Sequence, residues 1–298
     1  MFRELRWFVI LPLLLLLGNV ARGEEYGLTI AGVTVTSENC ADLSGIGGVT
    51  IEGDGKLSYD HTQTTLTMKN VKIEREGETL IKNASVAGLK IVVDGACSLI
   101  GKESAAMVLK ANTSIEGTGS LSISAPEAYA IYLDNALLTL INLELTVTGD
   151  YGLAGDETIG SEGLALENAQ LSATGKFGSV AGLKTLTLTK SFLSSPAKAK
   201  WDADKHAIVN ESGEKLTTEV FFSRIVPYPL QIAGQDVTNA NCTNLLGLSN
   251  VSGASLSYDP ANKILRMKDL SIVAGSENGI KNTGVDGLKV ELLGNNRI

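Results

Sequence analysis

Ile131-Tyr-Leu-Asp-Asn-Ala-Leu-Leu-Thr-Leu-Ile-Asn-Leu-Glu-Leu-Thr-Val147 decides the fold. Three alternating runs stand in series here: Ile131–Leu133, Leu138–Leu140 and Leu143–Val147. Alternation puts every second side chain on one side of an extended backbone, so each run reads as a half-buried strand. Three short strands per turn are what a right-handed parallel β-helix requires. From Leu57 to Ser195 the same cadence persists, as runs of three to six residues broken by Gly, Asn, Asp or Ser. Thr65–Ile73, Leu89–Val93, Ser120–Ser124 and Leu183–Leu188 are further cases, and no segment sustains a helical period.

A core pattern of apolar, any, apolar, charged, Asn recurs along this stretch. It reads Thr79-Leu-Ile-Lys-Asn83, Met107-Val-Leu-Lys-Ala111 with Asn112 one place later, Ile131-Tyr-Leu-Asp-Asn135 and Leu164-Ala-Leu-Glu-Asn168. Its irregular spacing fits solenoid coils with loop insertions. The apolar pair should point inward, with Leu80, Val108, Tyr132 and Ala165 outward. The Asn should take a left-handed corner and bond to the Asn of the next coil. Outward Ser and Thr should form hydroxyl ladders. A β-sandwich, the second-ranked architecture, would need hairpin dipeptides between strands, and few occur.

A longer repeat sets the domain map. Tyr26-Gly-Leu-Thr-Ile-Ala-Gly32 returns as Tyr228-Pro-Leu-Gln-Ile-Ala-Gly234, Leu57-Ser-Tyr-Asp60 as Leu256-Ser-Tyr-Asp259, and Ile81-Lys-Asn83 as Ile280-Lys-Asn282. The expected organisation is a signal peptide over 1–23, a β-helix module over 24–227 and an incomplete second β-helix module over 228–298. The second module should hold an opening strand, a loop (as Asn39–Gly55 is in the first) and about two coils. Lys198–His206, Ala207–Lys215 and Val220–Phe222 should end the first solenoid with a closing hairpin, in which Trp201 packs. The fold class is therefore all-β: a right-handed parallel β-helix (solenoid), one complete module plus a partial second copy.

Arg3 and Arg6, the apolar run Phe8–Gly18 and the small residues Ala21-Arg-Gly23 have the order of a cleaved secretory signal. The run is too short to span a bilayer, which takes about 20 residues. Removing it leaves 22 Lys and Arg against 32 Asp and Glu. With no basic cluster, nucleic acid and anionic membranes are poor partners, and no membrane insertion is expected after cleavage. The expected location is secreted or on the outer cell surface, with the periplasm an alternative. Cys40 and Cys242 hold the same place in the two modules, and Cys97 has Asn296 as its counterpart. Free buried thiols are expected, with a Cys40–Cys97 disulfide the alternative for an exported protein.

Ala105-Ala-Met-Val-Leu-Lys-Ala-Asn-Thr-Ser-Ile-Glu-Gly-Thr-Gly-Ser-Leu-Ser-Ile-Ser124 resembles the repeat of secreted carbohydrate-binding parallel β-helix domains. The opening at Tyr26 and the pair Ala130-Ile-Tyr-Leu133 and Tyr151-Gly-Leu-Ala-Gly155 resemble tandem repeats in exported, mostly uncharacterised proteins of host-associated Gram-negative anaerobes. The resemblance covers nearly all of Tyr26–Ile298. It implies a right-handed parallel β-helix, export, and binding of polysaccharide or a host surface glycan, in some members with calcium.

Candidate chemistry is sparse. His61 and His206 both sit in polar turns, and Pro260 replaces His61 in the second module. No Gly-x-Ser-x-Gly elbow, zinc spacing or phosphate loop is present. Tyr129, Tyr132 and Tyr151 are the candidate ligand-binding residues, since phenols on a flat sheet can stack on sugar rings and bond their hydroxyls. Asp150, Asp156 and Glu157 form an oxygen-rich loop that can hold calcium. No Arg lies near it: beyond the leader, Arg occurs only at 75, 224, 266 and 297. The reading is a non-enzymatic solenoid for polysaccharide binding or adhesion. A β-helix lyase or glycoside hydrolase is the first alternative, and a structural spacer of tandem modules the second.

Overall fold

The structure, a computed structural model, describes residues 23–156 and 160–298. The leader residues 1–22 and Glu157 lie outside that description. Among the described residues the chain is built of β-strands and a single 3-10 turn, Leu245–Gly247.

From Thr65 onward the first module winds as a parallel solenoid of three faces. Face I stacks the first half of Thr65–Glu76, then Leu89–Asp94, Thr113–Glu116, Leu137–Ile141, Gly163–Glu167 and Thr185–Thr189. Face II stacks the rest of Thr65–Glu76 on Ala96–Lys102 and then on the first halves of Ser120–Leu133, Glu144–Ala154 and Gln170–Ala181. Face III stacks Ile81–Asn83, Met107–Leu109 and the second halves of those same three strands. The inward residues form continuous columns. Leu66, Ile91, Ile115, Leu140 and Leu166 line face I, Ile73, Leu99, Ile123, Val147 and Ala173 face II, and Ile81, Met107, Ile131, Leu153 and Val180 face III. All fifteen are at most 1% exposed. At about 1.5–3 kcal/mol for each large aliphatic side chain, these columns dominate the stability of the coil stack. Ser98, Ser122, Thr146 and Ser172 form an outward hydroxyl row on face II.

Of the six corners from face I to face II, the one between Glu116 and Ser120 takes three residues, Gly117 to Gly119; at the other five a single left-handed residue turns the chain. Asn70, Gly95, Asn142, Asn168 and Lys190 hold this corner, with φ between 48° and 66°. Asn tolerates that conformation better than most side chains, and its amide can bond along the stack. Asn168 Nδ2 donates to Asn142 Oδ1 at 2.7 Å, so the expected Asn-to-Asn contact exists at this corner.

Three details of the coil alignment differ from expectation. Leu80 is fully buried, and Lys82 takes the outward place, in register with Val108 and Tyr132. Asn83 is not a left-handed corner: it points inward opposite Leu109, fully buried. Its amide replaces an aliphatic contact with bonds to Val86 N (2.8 Å), Val86 O (3.0 Å) and Thr113 Oγ1 (3.0 Å). Finally, Leu164–Asn168 belongs to face I, and Tyr151–Ala154 is what stacks on Tyr129–Tyr132. Leu164–Asn168 repeats Leu138–Asn142 one coil on, in register on face I, so it is not the counterpart of Ile131–Asn135.

Antiparallel strands cover most of the raw edges that a solenoid would otherwise offer for aggregation, although Thr185–Thr189 pairs only with Gly163–Glu167 and stays largely exposed at the far end of face I. At the start, Val49–Asp60 crosses Thr65–Glu76 and Glu25–Ile30 crosses Ile81–Asn83. The expected loop therefore ends at Val49, because Val49-Thr-Ile51 pairs with Val71–Ile73 before a bulge. At the far end, Val220–Arg224 covers face II and the Lys200–Asp202 and Ala207–Val209 hairpin reaches Ala181 of face III. Trp201 packs on the core there, as expected.

The second module has its own core, which shares no residue with the first. It repeats the cap (Pro227–Ile232, Gln235–Thr238 and Val251–Asp259) on one coil, Ile264–Ile272 with Ile280–Asn282. Lys289–Leu293 and a parallel bridge from Arg297 to Ser271 begin a second coil. All three cysteines are free; Cys97 and Cys242 are buried, while Cys40 is partly exposed.

Candidate functional site

Face III carries an aromatic column that climbs from coil to coil. Tyr129 is in register with Tyr151, which in turn is opposite Gly178. Because neighbouring parallel strands lie about 4.8 Å apart, rings in register meet face to face. Those of Tyr129 and Tyr151 stack at 4.7 Å with only 9° between planes. Tyr132 meets Tyr129 edge-on at 5.1 Å, and Phe177 continues the column beyond Tyr151 at 5.8 Å. Gly178 makes room for this: a Cβ there would lie 3.0 Å from Ala181, 3.1 Å from Lys215 and 3.4 Å from the Tyr151 ring.

The stack changes what the tyrosines can offer. Tyr129 and Tyr151 use ring faces on each other, so solvent meets mainly their edges. Phe177 is 58% exposed and is the platform of the column. Lys176 fixes its coil, reaching Pro126 O at 2.7 Å and lying 2.7 Å from Asp150 Oδ1 in an ion pair that lacks hydrogen-bond alignment.

At the Tyr132 end the surroundings are acidic. The Tyr132 hydroxyl donates to Asp156 Oδ2 at 3.3 Å, and Lys110 binds Asp134 at 2.7 Å. Burial first, then the charges of Asp156 and Asp134, push the Tyr132 phenol up to about 12. It is thus a donor throughout the physiological range. Lys110, which donates to Asp134, holds the Asp134 carboxyl below its ordinary value.

All three sequence-predicted tyrosines therefore come together. Of the three candidate calcium ligands, Asp150 faces Lys176, Asp156 accepts from Tyr132, and Glu157 lies outside the described residues. Among the described residues no group of three His, Cys, Asp or Glu converges as a metal would need. His206 bonds through Nδ1 to Leu183 O at 3.1 Å, and His61 stacks on Tyr26 in the opening cap.

Two residues here escaped the sequence reading. Phe177 was detectable, since Tyr129, Tyr151 and Phe177 recur at about the coil length. Glu162 was not, because Gly160-Ser-Glu-Gly163 reads as a solvated turn. Its carboxylate is in fact fully buried, accepting from Asn135 N at 3.1 Å and Gly160 N at 2.7 Å. It ties the long insertion to the corner below Tyr132.

No family model matches the chain, and no curated protein or solved structure does either. The family resemblance rests on the residues quoted above.

Proposed function

We propose that the chain is an exported, non-enzymatic polysaccharide-binding module, for adhesion or retention at a cell surface, which holds a glycan along face III. The aromatic column carries this reading. A sugar ring presents an apolar C–H face and a rim of hydroxyls, and a half-wet aromatic strip with carboxylates beside it complements both. Phe177 supplies the stacking face. The tyrosine edges, Asp134 and Asp156 supply polar partners. The acidic surface suits a neutral glycan better than a polyanion.

A glycan-array profile of residues 24–298, with product formation measured on the same panel, tests this. Binding to at least one polysaccharide is expected, reduced about two- to tenfold by Phe177→Ala, since one aromatic contact is worth roughly 0.5–1.5 kcal/mol. Binding that survives both Phe177→Ala and Tyr151→Ala would remove the column as the site. Product formation would move the chain to the lyase or hydrolase class, and a silent panel would leave it a spacer.

A further inference from the structure

The second module carries an open strand edge. Lys289–Leu293 pairs on one side only, with Ile264–Ile272, and all five of its residues are exposed. Its counterpart in the first module, Leu89–Asp94, holds the next coil on its other side, and Lys90 Nζ lies 3.4 Å from Glu116 Oε1 of that coil. The inward positions are conserved in kind, with Val290 and Leu292 for Ile91 and Val93. Two outward positions are not: Glu291 stands where the first module has Val92, and Leu293 where it has Asp94. Glu291 accepts from Arg266 Nε at 3.0 Å through Oε2, which leaves Oε1. Lys289 keeps the place of Lys90 but, among the described residues, has no acid within ion-pair distance.

The backbone limits the registers that a further strand can take. Lys289 N donates back to Lys263 O at 2.9 Å, so by alternation Leu288, Val290 and Leu292 turn their amides and carbonyls to the open side. A second copy laid antiparallel about a two-fold axis must match these residues with one another. Centred on Val290, the inward side sets Val290 against itself and Leu288 against Leu292, while the outward side sets Lys289 against Glu291 twice. Centred on Glu291, that carboxylate opposes its own copy and Lys289 opposes Leu293. Opposite charges directly across a strand pair stabilise it and like charges do the reverse, so charge selects the first register. Leu293 then lies across from Gly287 of the second copy, a residue with open space where a Cβ would stand.

We propose that two copies of this chain pair edge to edge through Lys289–Leu293, antiparallel and centred on Val290. Glu291 of the second copy gives Lys289 the acid that Glu116 gives Lys90 in the first module. One short strand per copy is a small interface, well under the roughly 1,200 Å² of stable complexes, so a dissociation constant on the order of 100 µM or weaker is expected. At the low micromolar concentrations of an unfolding measurement the chain is therefore a monomer, and this edge is wet.

Sedimentation equilibrium of residues 24–298, from micromolar to millimolar, tests this, and a monomer–dimer equilibrium is expected. Glu291→Lys and Lys289→Glu each set like charges across the pair twice. Each alone should weaken the dimer about tenfold or more, with little change in melting temperature. Mixed in equal amounts, the same two variants should associate with each other, because one brings two lysines and the other two glutamates to the shared register. Thr187→Lys, on the open Thr185–Thr189 edge of the first module, should leave the dimer unchanged. A chain that stays monomeric to millimolar concentration would overturn the proposal. So would a dimer that survives both charge variants, a mixture of the two that stays monomeric, or a dimer that Thr187→Lys abolishes.

Discussion

Ile91 and Val290 hold the same place in the two modules and meet opposite fates. Each pairs in parallel with the leucine of the preceding coil, Leu66 or Leu265. Ile91 is fully buried, yet Val290 is 47% exposed. The whole strand follows suit: Leu89–Asp94 alternates buried and exposed, whereas every residue of Lys289–Leu293 is exposed. Sequence pattern chooses which side chains point inward. The coil above decides whether inward means dry. Stability in a solenoid is a nearest-neighbour property, and the two modules display it with nearly the same residues.

The largest expected effect follows directly. Ile91→Ala should cost about 2–5 kcal/mol, as for other buried aliphatic truncations. Val290→Ala should stay within about 0.5 kcal/mol. Denaturant unfolding of the two variants measures the difference, with each module's transition followed separately if they do not coincide. Equal costs would mean that a partner covers the Lys289–Leu293 edge in solution.

Asn83 and Asn282 sharpen the comparison at a polar position. Both make the same local turn, bonding Val86 or Val285 through N and O at 2.8–3.0 Å. Only Asn83 also reaches a further coil, at Thr113, and only Asn83 is fully buried. Asn83→Ala strands buried partners, so a loss of about 2 kcal/mol is expected, against less than about 1 kcal/mol for Asn282→Ala, where water replaces the bonds. Hydrogen exchange at the Val86 and Val285 amides reads the same contrast locally: protection at Val86 should collapse, and at Val285 change little.

These positions also mark how far the sequence could be read. Period-two alternation and the duplicated opening were visible because inward columns and caps draw on local pattern, which repeats. The corner asparagines were visible as a type but not as a register. An Asn can serve a left-handed turn, as Asn168 does, or fill an inward slot through its own bonds, as Asn83 does, and the letter is the same. The fourth motif, Leu164–Asn168, has the letters of the face III motif but repeats Leu138–Asn142 of face I. The tyrosine column was half legible: coil spacing brings Tyr129 and Tyr151 together, but that their rings would consume each other's faces, leaving Phe177 as platform, depends on side-chain geometry. Glu162 was illegible, since its burial goes with the backbone amides of Asn135 and Gly160 that its carboxylate accepts from, which no local pattern announces.

The smallest effect is electrostatic and asks whether the column differs from the tyrosine pairs of the caps. Burial is the leading cause of a raised phenol at Tyr26 and Tyr59 in the first cap and at Tyr228 and Tyr258 in the second. Tyr132 has burial and two neighbouring carboxylates, and reaches about 12. Its ordinary value, and so its value in the unfolded chain, is about 10. The native state therefore keeps this proton where the unfolded state has lost it. The stabilisation is complete below about pH 10 and disappears as pH rises toward 12, so stability falls with pH across that window. In Tyr132→Phe this part of the fall should vanish, flattening the slope of unfolding free energy against pH above 10. Asp156→Asn should do so in part, because burial, the larger cause, remains. Phenolate absorbance of the native chain should show the matching change, one late-titrating tyrosine fewer in Tyr132→Phe. If the slope is the same in wild type and both variants, the carboxylates beside Tyr132 are too well solvated to matter, and the column is electrostatically no different from the caps.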